Sequence, residues 1–465
     1  MADDESAQHV SARDLRVEQA FFGPIIHSIT PTEVQICHKG LLLVGPDGRI
    51  ALFREHVEKA QVAALIAEYG TGAGSSRIRY LERGQFLIPG FVDTHNHAPQ
   101  WAQRGTGRGL QLLDWLNQIT FPHEAKFADP AYARKTYSAC VDGFLRQGIT
   151  TASYYGSLHA DATKILADLC LEKGQRALVG KCDMNQNAPD YCCAASAQES
   201  LQATKDFVAH VRTIDPAQRL VTPALTPRFA ISCDRELLTG LGDLAEANPE
   251  LPIQTHFNEA EDEIALTKTL YHEFSNEADL YEKFGLLNSR SILAHCIYLE
   301  DYEVEKIAEL GCGVAHCPIS NTTIGGFMAA PIRQYLRHGI KVGLGTDSGG
   351  GFSSSILDAM RQAFIVSKAR EVATDGADPA LSLNETFFLA TLGGAQVCGL
   401  GSKVGNFAEG KEFDALEVHT MGAGAGIITP IEDEDDLATV FEKFLMTGDD
   451  RNIAKVYVRG RSVKA

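Results

Sequence analysis

The sequence predicts an α/β protein in which a TIM-like (β/α)8 barrel carries a small β-sandwich domain formed from both chain termini. Three observations support this prediction. Short apolar and β-branched runs recur between residues 86 and 348, and the stretches between them have the apolar spacing of amphipathic helices. Both chain ends instead contain shorter alternating runs separated by turn residues. Alternation of strands with helices is typical of a parallel sheet covered by helices.

Eight of the apolar runs are predicted to be the parallel strands of the barrel. Several of them are apolar almost continuously, as is typical of strands that are covered on both faces. In chain order the runs are Phe86–His97, Ile149–Gly156, Arg176–Met184, Leu220–Phe229, Pro252–Glu259, Ser291–Cys296, Gly313–Pro318 and Lys341–Ser348.

The connections between these runs are predicted to contain the crossover helices. Asp161–Leu171 and Glu261–Tyr271 both place apolar residues at helical spacing. The connection after the first strand is unusually long, spanning residues 98 to 130, and it contains Trp101 and Trp115 among several glycines. Loops of this length often act as lids over a site, and a docked surface loop is the alternative interpretation.

The two chain ends are predicted to pair into one composite small β domain, made of residues 1–85 and 403–465, with the barrel domain at 86–402. Short strand-like runs such as Leu41–Val44 and Val456–Val458 support this division.

Composition narrows the class of protein. The 465 residues include 42 Lys and Arg against 60 Asp and Glu, for a net charge of −18, and 45% are hydrophobic. This acidic balance opposes nucleic-acid binding, because such binding depends on basic side chains that neutralise phosphates.

No apolar run is long enough for a membrane span, and the first residues lack the pattern of a secretory signal. The eleven cysteines contain no C-x-x-C pair. We therefore expect a cytoplasmic protein with reduced thiols that binds neither nucleic acid nor membrane.

Polar residues cluster at the ends of the predicted strands. His95 and His97 lie two residues apart on the first strand and therefore face the same side. His256, His295 and Asp347 stand at the ends of the fifth, sixth and eighth strands. Because a barrel builds its active site at the carboxyl ends of its strands, we expect these five side chains to converge.

Three neutral imidazoles and a carboxylate are suitable ligands for zinc or a similar first-row divalent ion. Such an ion lowers the pKa of its bound water toward ~7 and so provides hydroxide at neutral pH. Glu259 follows His256 by three residues, where its carboxylate can reach the same cavity and shuttle protons. A helix-start carboxylate is the alternative reading of Glu259. The strand ends therefore predict a catalytic metal site.

The strand-end motifs resemble those of the amidohydrolase superfamily, and they occur in that superfamily's order. The motifs are Pro89–His97, Gln254–Glu259, Ala294–His295 and Gly345–Asp347. Further stretches are similar to the guanine deaminase family in particular: Asp114–Leu116, Thr120–Pro122, Thr222–Phe229, Ala315–Asn321, Gly343–Asp347, Thr391–Gly394 and Gly405–Ala415.

The resemblance implies a homodimeric hydrolase of purine catabolism that converts guanine to xanthine and ammonia with zinc. In this interpretation hydroxide attacks C2 of guanine, His295 and Asp347 orient the water, and Glu259 moves the protons. The implied zinc ligands are His95, His97, His256 and Asp347. The implied guanine-binding residues are His97, Ala98, Pro99, Gln100, Arg228, Phe229, His256, Glu259 and Asp347.

The fourth strand ends in Thr226–Phe229 and offers no lysine that could be carbamylated to bridge two metals. We therefore expect one zinc ion per subunit. Two alternative functions stay open at this point. One is an amidohydrolase acting on another ring, such as adenine, cytosine, an oxidised guanine or a triazine; Arg228, Phe229 and the long first loop favour guanine. The other is a non-catalytic binding or assembly protein that keeps the barrel.

Overall fold

The strands of the protein divide between two sheets, one parallel and one formed from both ends of the chain. The structure is a computed structural model that describes residues 17–69, 77–324, 329–422 and 429–464. The strands are β1 Gln19–Ser28, β2 Val34–Val44, β3 Ile50–Arg54, β4 Arg77–Tyr80, β5 Gln85–Pro89, β6 Phe91–His97, β7 Ile149–Tyr155, β8 Arg176–Asp183, β9 Val221–Pro227, β10 Ile253–Phe257, β11 Ser291–His295, β12 Gly313–His316, β13 Lys341–Leu344, β14 Ala415–His419, β15 Ile453–Val458 and β16 Arg461–Ser462.

Helices fill most of the connections, and several begin at a polar cap. The Asp129 side chain, for example, accepts a hydrogen bond from the Ala131 N–H where the fourth helix begins. None of the described helices is long and apolar enough to cross a bilayer. The helices are α1 Val62–Glu68, α2 Leu112–Trp115, α3 Phe121–Glu124, α4 Pro130–Arg146, α5 Ala160–Lys173, α6 Ala197–Ile214, α7 Arg235–Ala247, α8 Glu261–Leu270, α9 Glu277–Lys283, α10 Asp301–Glu309, α11 Pro318–Thr323, α12 Ile332–Arg337, α13 Ile356–Ala373, α14 Leu383–Phe388, α15 Gly394–Val397 and α16 Leu437–Thr447.

Strands β6 to β13 form the barrel, in which each strand is parallel to the next along the chain. The first and last strands lie side by side. The Thr94 hydroxyl donates to the Leu344 carbonyl at 2.9 Å, and the Asp347 N–H donates to the His95 carbonyl at 2.9 Å. The predicted eight-stranded barrel is confirmed, and α5 and α8 are the crossover helices predicted from apolar spacing.

The prediction of one strand over Phe86–His97 is wrong, because two strands of different sheets occupy that run. β5 pairs with β14 in the terminal sheet, whereas β6 pairs with β7 in the barrel. Gly90 separates them, and a side chain there would come within 2.0 Å of Thr150 on β7. Glycine therefore lets the chain pass from one sheet to the other in close contact with the barrel.

The terminal strands form a separate sheet in the order β16-β15-β14-β5-β1-β2-β3, with β4 paired to β1. The sheet curls on itself: the Ile50 N–H donates to the Lys411 carbonyl, and the Gly410 N–H donates to the Ile50 carbonyl, both at 2.8 Å. The curled sheet encloses aromatic rings such as Phe21 and Phe413, whose centroids are 4.9 Å apart. The predicted composite β unit of both termini is therefore present. Its exact boundaries stay a prediction, and residues 1–16 and 70–76 lie outside the described residues.

A buried charge cluster joins this sheet to the barrel. Arg176 begins β8, and its guanidinium contacts Glu412 at 2.6 Å and Asp414 at 3.0 Å, just before β14. All three side chains are buried, so removing one partner would leave an uncompensated charge. The terminal sheet is thus fixed against the barrel end opposite to the one where the strands finish.

Candidate active site

The five strand-end residues predicted to converge do lie together. β6 places His95 and His97 on one side, β10 provides His256, β11 ends at His295, and Asp347 follows β13. The Nε2 atoms of His97 and His256 are 3.0 Å apart. Asp347 Oδ1 lies 3.3 Å from His95 Nε2 and 3.6 Å from His97 Nε2. All five side chains are buried, so their polar atoms face one another rather than bulk water.

Backbone strain marks the same strand ends. Asn258, His295 and Asp347 have positive φ angles of 46°, 72° and 42°. Residues other than glycine adopt this conformation at a cost of about 1–3 kcal/mol each, and such residues concentrate at functional sites. At each of these three residues the backbone turns close to the end of a strand. The sequence did not indicate these turns.

Neighbouring groups fix the tautomers of two histidines. His295 Nδ1 lies 2.8 Å from Asn321 Oδ1, and His256 Nδ1 lies 2.6 Å from the Arg228 carbonyl oxygen. Because both partners are acceptors, each Nδ1 carries the hydrogen and each Nε2 presents its lone pair. The two lone pairs point toward the same space as the Asp347 carboxylate.

Asp93 ties the first strand to the segment that carries Asp347. Its carboxylate accepts from the Thr346 hydroxyl at 2.6 Å, from the Thr346 N–H at 2.9 Å and from the His95 N–H at 3.3 Å. Burial raises the pKa of Asp93 to about 7. The residue thus sets the relative position of His95 and Asp347 from beneath the cluster.

The electrostatics of the cluster favour neutral imidazoles beside a charged carboxylate. Burial lowers the pKa of His95, and it lowers the pKa values of His97 and His256 well below the usual range. For Asp347 burial alone would raise the pKa, but the nearby imidazoles of His95, His295 and His97 hold it well below its usual value. These are the protonation states that metal ligands need.

The donor atoms fit a divalent metal ion. They form two overlapping groups in which all ligand atoms lie within 4.8 Å of one another. His295 Nε2 is buried and has no hydrogen-bond partner among the described residues, although such atoms are normally paired. The groups are His95, His256 and His295, and His95, His97 and Asp347.

Glu259 lies beside this cluster. Its Oε1 atom is 3.6 Å from His295 Nε2, and its side chain is almost fully buried. Burial raises the pKa of Glu259 to about 7, so the carboxyl group is poised to hold or release a proton near neutral pH.

A small cavity opens in front of Glu259 and the cluster. Part of its wall comes from the long first connection, as Leu112, Trp115 and Leu116 line it. The predicted contact Gln100 also lines it, whereas Ala98 and Pro99 are buried in the 3-10 turn Ala98–Gln103 and are not among the described lining residues. The lining is His97, Gln100, Leu112, Trp115, Leu116, Arg228, Phe229, His256, Glu259, Ser320, Ile324, Asp347 and Gly350.

Two of the lining residues, Gln100 and Arg228, form a hydrogen-bonded trio with Glu124. Glu124, at the end of α3, accepts two hydrogen bonds from the Arg228 guanidinium, at 2.7 and 3.2 Å. It also accepts one from the Gln100 amide at 2.9 Å. Burial would lower the pKa of Arg228, but the charge of Glu124 raises it above its usual value. Arg228 therefore stays charged within the cavity wall.

Comparison with known proteins identifies the family. The model of the amidohydrolase family matches residues 86–463. The chain belongs to the guanine deaminase branch of the amidohydrolase family. A Schizosaccharomyces pombe protein named "probable guanine deaminase" is 40% identical over 448 residues, or 95% of this chain and 83% of the relative. Guanine deaminase of Dictyostelium discoideum is 37% identical, over 97% of this chain and 99% of the relative.

A solved structure of the guanine deaminase branch has the same fold. The crystal structure of guanine deaminase from C. acetobutylicum, with guanine bound in the active site, superposes with a TM-score of 0.85. It is 34% identical, and the match covers 96% of this chain and 99% of that chain. The resemblance to the amidohydrolases, inferred above from the strand-end motifs, and to this branch, inferred from the further stretches, is confirmed.

Sequence reasoning missed several residues of this amidohydrolase site. Asp93, Glu124 and Asn321 act through the side chains that they hold. Asp93 and Asn321 lie inside motifs that carry the family resemblance, and Glu124 lies two residues after another, but none of the three was singled out. The available signal for Asp93 was its place on the face of β6 that also carries His95 and His97. Glu124 and Asn321 gave no such signal, because their partners are distant in the chain.

Proposed function

We propose that the protein hydrolyses guanine to xanthine and ammonia. One observation carries this proposal. One cavity is lined by metal-type donors and Glu259 and also by the charged Arg228 and by Gln100. The first group of residues suits hydrolysis, and the second suits an aromatic ring that bears polar atoms on its edge.

His95, His97, His256 and Asp347 are proposed to hold one zinc ion per chain. When bound, zinc would supply an activated water by lowering its pKa toward ~7. Nitrogen and carboxylate donors suit this ion. The buried Lys181 offers no bridging ligand for a second one, because its amino group bonds to Asp183 at 2.7 Å and to Ser200 on α6 at 2.9 Å, outside the barrel.

Proton transfer is assigned to Glu259, with His295 and Asp347 as orienting groups. His295 Nε2 and the Asp347 carboxylate can each accept a hydrogen bond. They are therefore proposed to hold the hydrogen of the attacking water that Glu259 does not take, with the oxygen toward C2. Glu259 takes one proton from the water and passes it to a ring nitrogen. After the water has added at C2, Glu259 takes the proton of the new hydroxyl group and gives it to the departing amine. Water adds at C2 and ammonia leaves, which balances the reaction as guanine and water giving xanthine and ammonia.

Recognition of the ring is assigned to Arg228, Gln100 and Phe229. Arg228 can only donate hydrogen bonds, so it faces acceptor atoms of the purine. Phe229 is buried in the cavity wall and offers a surface for stacking. Contacts from Ala98, Pro99, His97, His256 and Asp347 to guanine stay predictions.

The assembly and location of the protein are also proposals. A cytoplasmic homodimer is proposed from the family resemblance alone. Sedimentation velocity of the purified protein is expected to give a dimer, and a single monomeric species would contradict this.

The decisive experiment measures ammonia release and the ultraviolet spectrum when the zinc-loaded protein meets guanine, adenine or cytosine. We expect conversion of guanine alone. Turnover of another base would retain the hydrolytic site and contradict the assigned roles of Arg228 and Gln100.

A metal analysis of the purified protein tests the zinc proposal. We expect one zinc per chain, loss of guanine turnover after treatment with a chelator, and recovery on adding zinc. Two tightly held ions per chain would contradict the single-metal proposal.

A further inference from the structure

Glu124 is a buried carboxylate that has no role in the reaction proposed above. It ends α3, within the long connection after β6, and its side chain is 2% exposed. Its two oxygens accept three charge-assisted or amide hydrogen bonds, two from Arg228 and one from Gln100. One carboxylate thus contacts both polar side chains assigned to ring recognition.

The carboxylate determines which way round the Gln100 amide is held. An ionised carboxylate can only accept, so the Gln100 NH2 group must face Glu124. The Gln100 carbonyl then points away, and it receives only a long contact from Gln103 Nε2 at 3.4 Å. Space for that oxygen depends on Gly349, since a side chain there would come within 2.1 Å of it. Gln100 therefore offers an acceptor with spare capacity.

Arg228 supplies the opposite polarity beside it. The guanidinium has donors only, and Glu124 Oε1 bonds to it at 3.2 Å and to Gln100 at 2.9 Å. Because both side chains also line the cavity, its wall offers the guanidinium donors and the Gln100 acceptor as neighbours. This pair complements a ring that carries a carbonyl oxygen and an N–H, as guanine does. It does not complement a ring whose edge carries an amino group and an unprotonated nitrogen.

We propose that Glu124 is a positioning residue for substrate selection, which fixes the hydrogen-bond polarity of Gln100 and Arg228 and so selects oxo-purines. The inference rests on the proposed guanine hydrolysis and adds the residue that sets its specificity. Glu124 acts through its two neighbours, and its substitution therefore affects binding and preference more than the chemical step.

The test compares guanine with 2-aminopurine, which keeps the 2-amino group but lacks the 6-oxygen and the N1 hydrogen. The preference is the ratio of the inhibition constant of 2-aminopurine to the KM for guanine. In the zinc-loaded Glu124→Gln variant we expect the KM for guanine to rise about 10- to 100-fold, because bonds to charged groups are lost. We expect kcat to change less than about 3-fold and the preference to fall at least about 10-fold.

Glu385→Gln is the matched control. Glu385 is also buried and forms a two-point ion pair with an arginine, Arg333, but neither residue lines the cavity. This variant should leave the KM and the preference unchanged. If Glu124→Gln does not fold, Gln100→Met tests the same polarity without leaving Arg228 unpaired, and its preference should fall in the same direction.

Two results would overturn the inference. One is a folded Glu124→Gln variant with unchanged KM and preference. The other is an equal loss for guanine and 2-aminopurine, which would indicate a general structural role. A wild-type protein without guanine turnover contradicts the proposed function itself, and the inference falls with it; an active wild type with an unaffected Glu124→Gln contradicts the inference alone.

Discussion

Two sets of residues at the cavity differ in how far their polar groups are already hydrogen-bonded. We call them the strand-end side and the recognition side. On the strand-end side, made of His95, His97, His256, His295 and Asp347, lone pairs crowd together, and His295 Nε2 has no partner within the described chain. On the recognition side, made of Gln100, Glu124 and Arg228, the polar groups already bond to one another. The first side is arranged to act on other species, and the second is pre-organised to discriminate between them.

This difference predicts how substitutions divide. Changes on or beside the strand-end side should lower kcat, because they disturb the chemical step. Changes on the recognition side, or in the part of the cavity wall formed by the long first connection, should raise KM. They disturb binding of the ring in the ground state and the transition state alike.

Substitution of Glu259 has the largest expected effect. Glu259→Gln should lower kcat about 10²- to 10⁴-fold, because an amide cannot shuttle protons, while the zinc content stays the same. Steady-state assays with metal analysis check this. Glu261→Gln is the control, since Glu261 is exposed two residues further on and should keep full activity. Near-normal turnover of Glu259→Gln with zinc bound would refute the assigned role.

Asn321 tests whether the strand-end side depends on a fixed tautomer. Asn321→Leu removes the acceptor of the His295 Nδ1 hydrogen and should lower kcat about 10- to 100-fold. Asn321→Asp restores an acceptor oxygen and should recover part of the loss. Equal activity of the leucine variant and the wild type would show that His295 needs no such support.

Substitution of a tryptophan has the smallest expected effect on activity. The chain has only two tryptophans, so each can be compared directly with the other. Trp115 lines the cavity, whereas Trp101 packs against Phe144 and Arg104 outside it. Trp115→Leu should raise the KM for guanine about 3- to 10-fold with little change in kcat, through lost contact area. Trp101→Leu should leave KM unchanged. A fall in kcat for Trp115→Leu, with KM constant, would break the division between the two sides.

The strand-end side could be predicted from sequence because its geometry follows from local rules. Alternation along β6 places His95 and His97 together, and parallel strands bring His256, His295 and Asp347 to the same rim. Neither rule depends on knowing which distant residues pack together.

The recognition side could be predicted only in part. Gln100 and Arg228 came from the family resemblance, but Glu124 pairs with residues 24 and 104 positions away in the chain. No periodicity reports such a contact. The split of Phe86–His97 into β5 and β6 was missed for a related reason. Pro89 and Gly90 stand between the two strands, but such a pair does not by itself reveal that the chain changes its pairing partners.

The contact between β6 and the end of β13 has a consequence for folding. The Asp347 N–H bonds to the His95 carbonyl, so the first and last strands meet through two residues of the site itself. The reactive geometry is therefore complete only when the chain has travelled once around the barrel and its ends have joined. Catalytic recovery during refolding should follow the final closure of the ring of strands, and a fragment ending before β13 should show none of it.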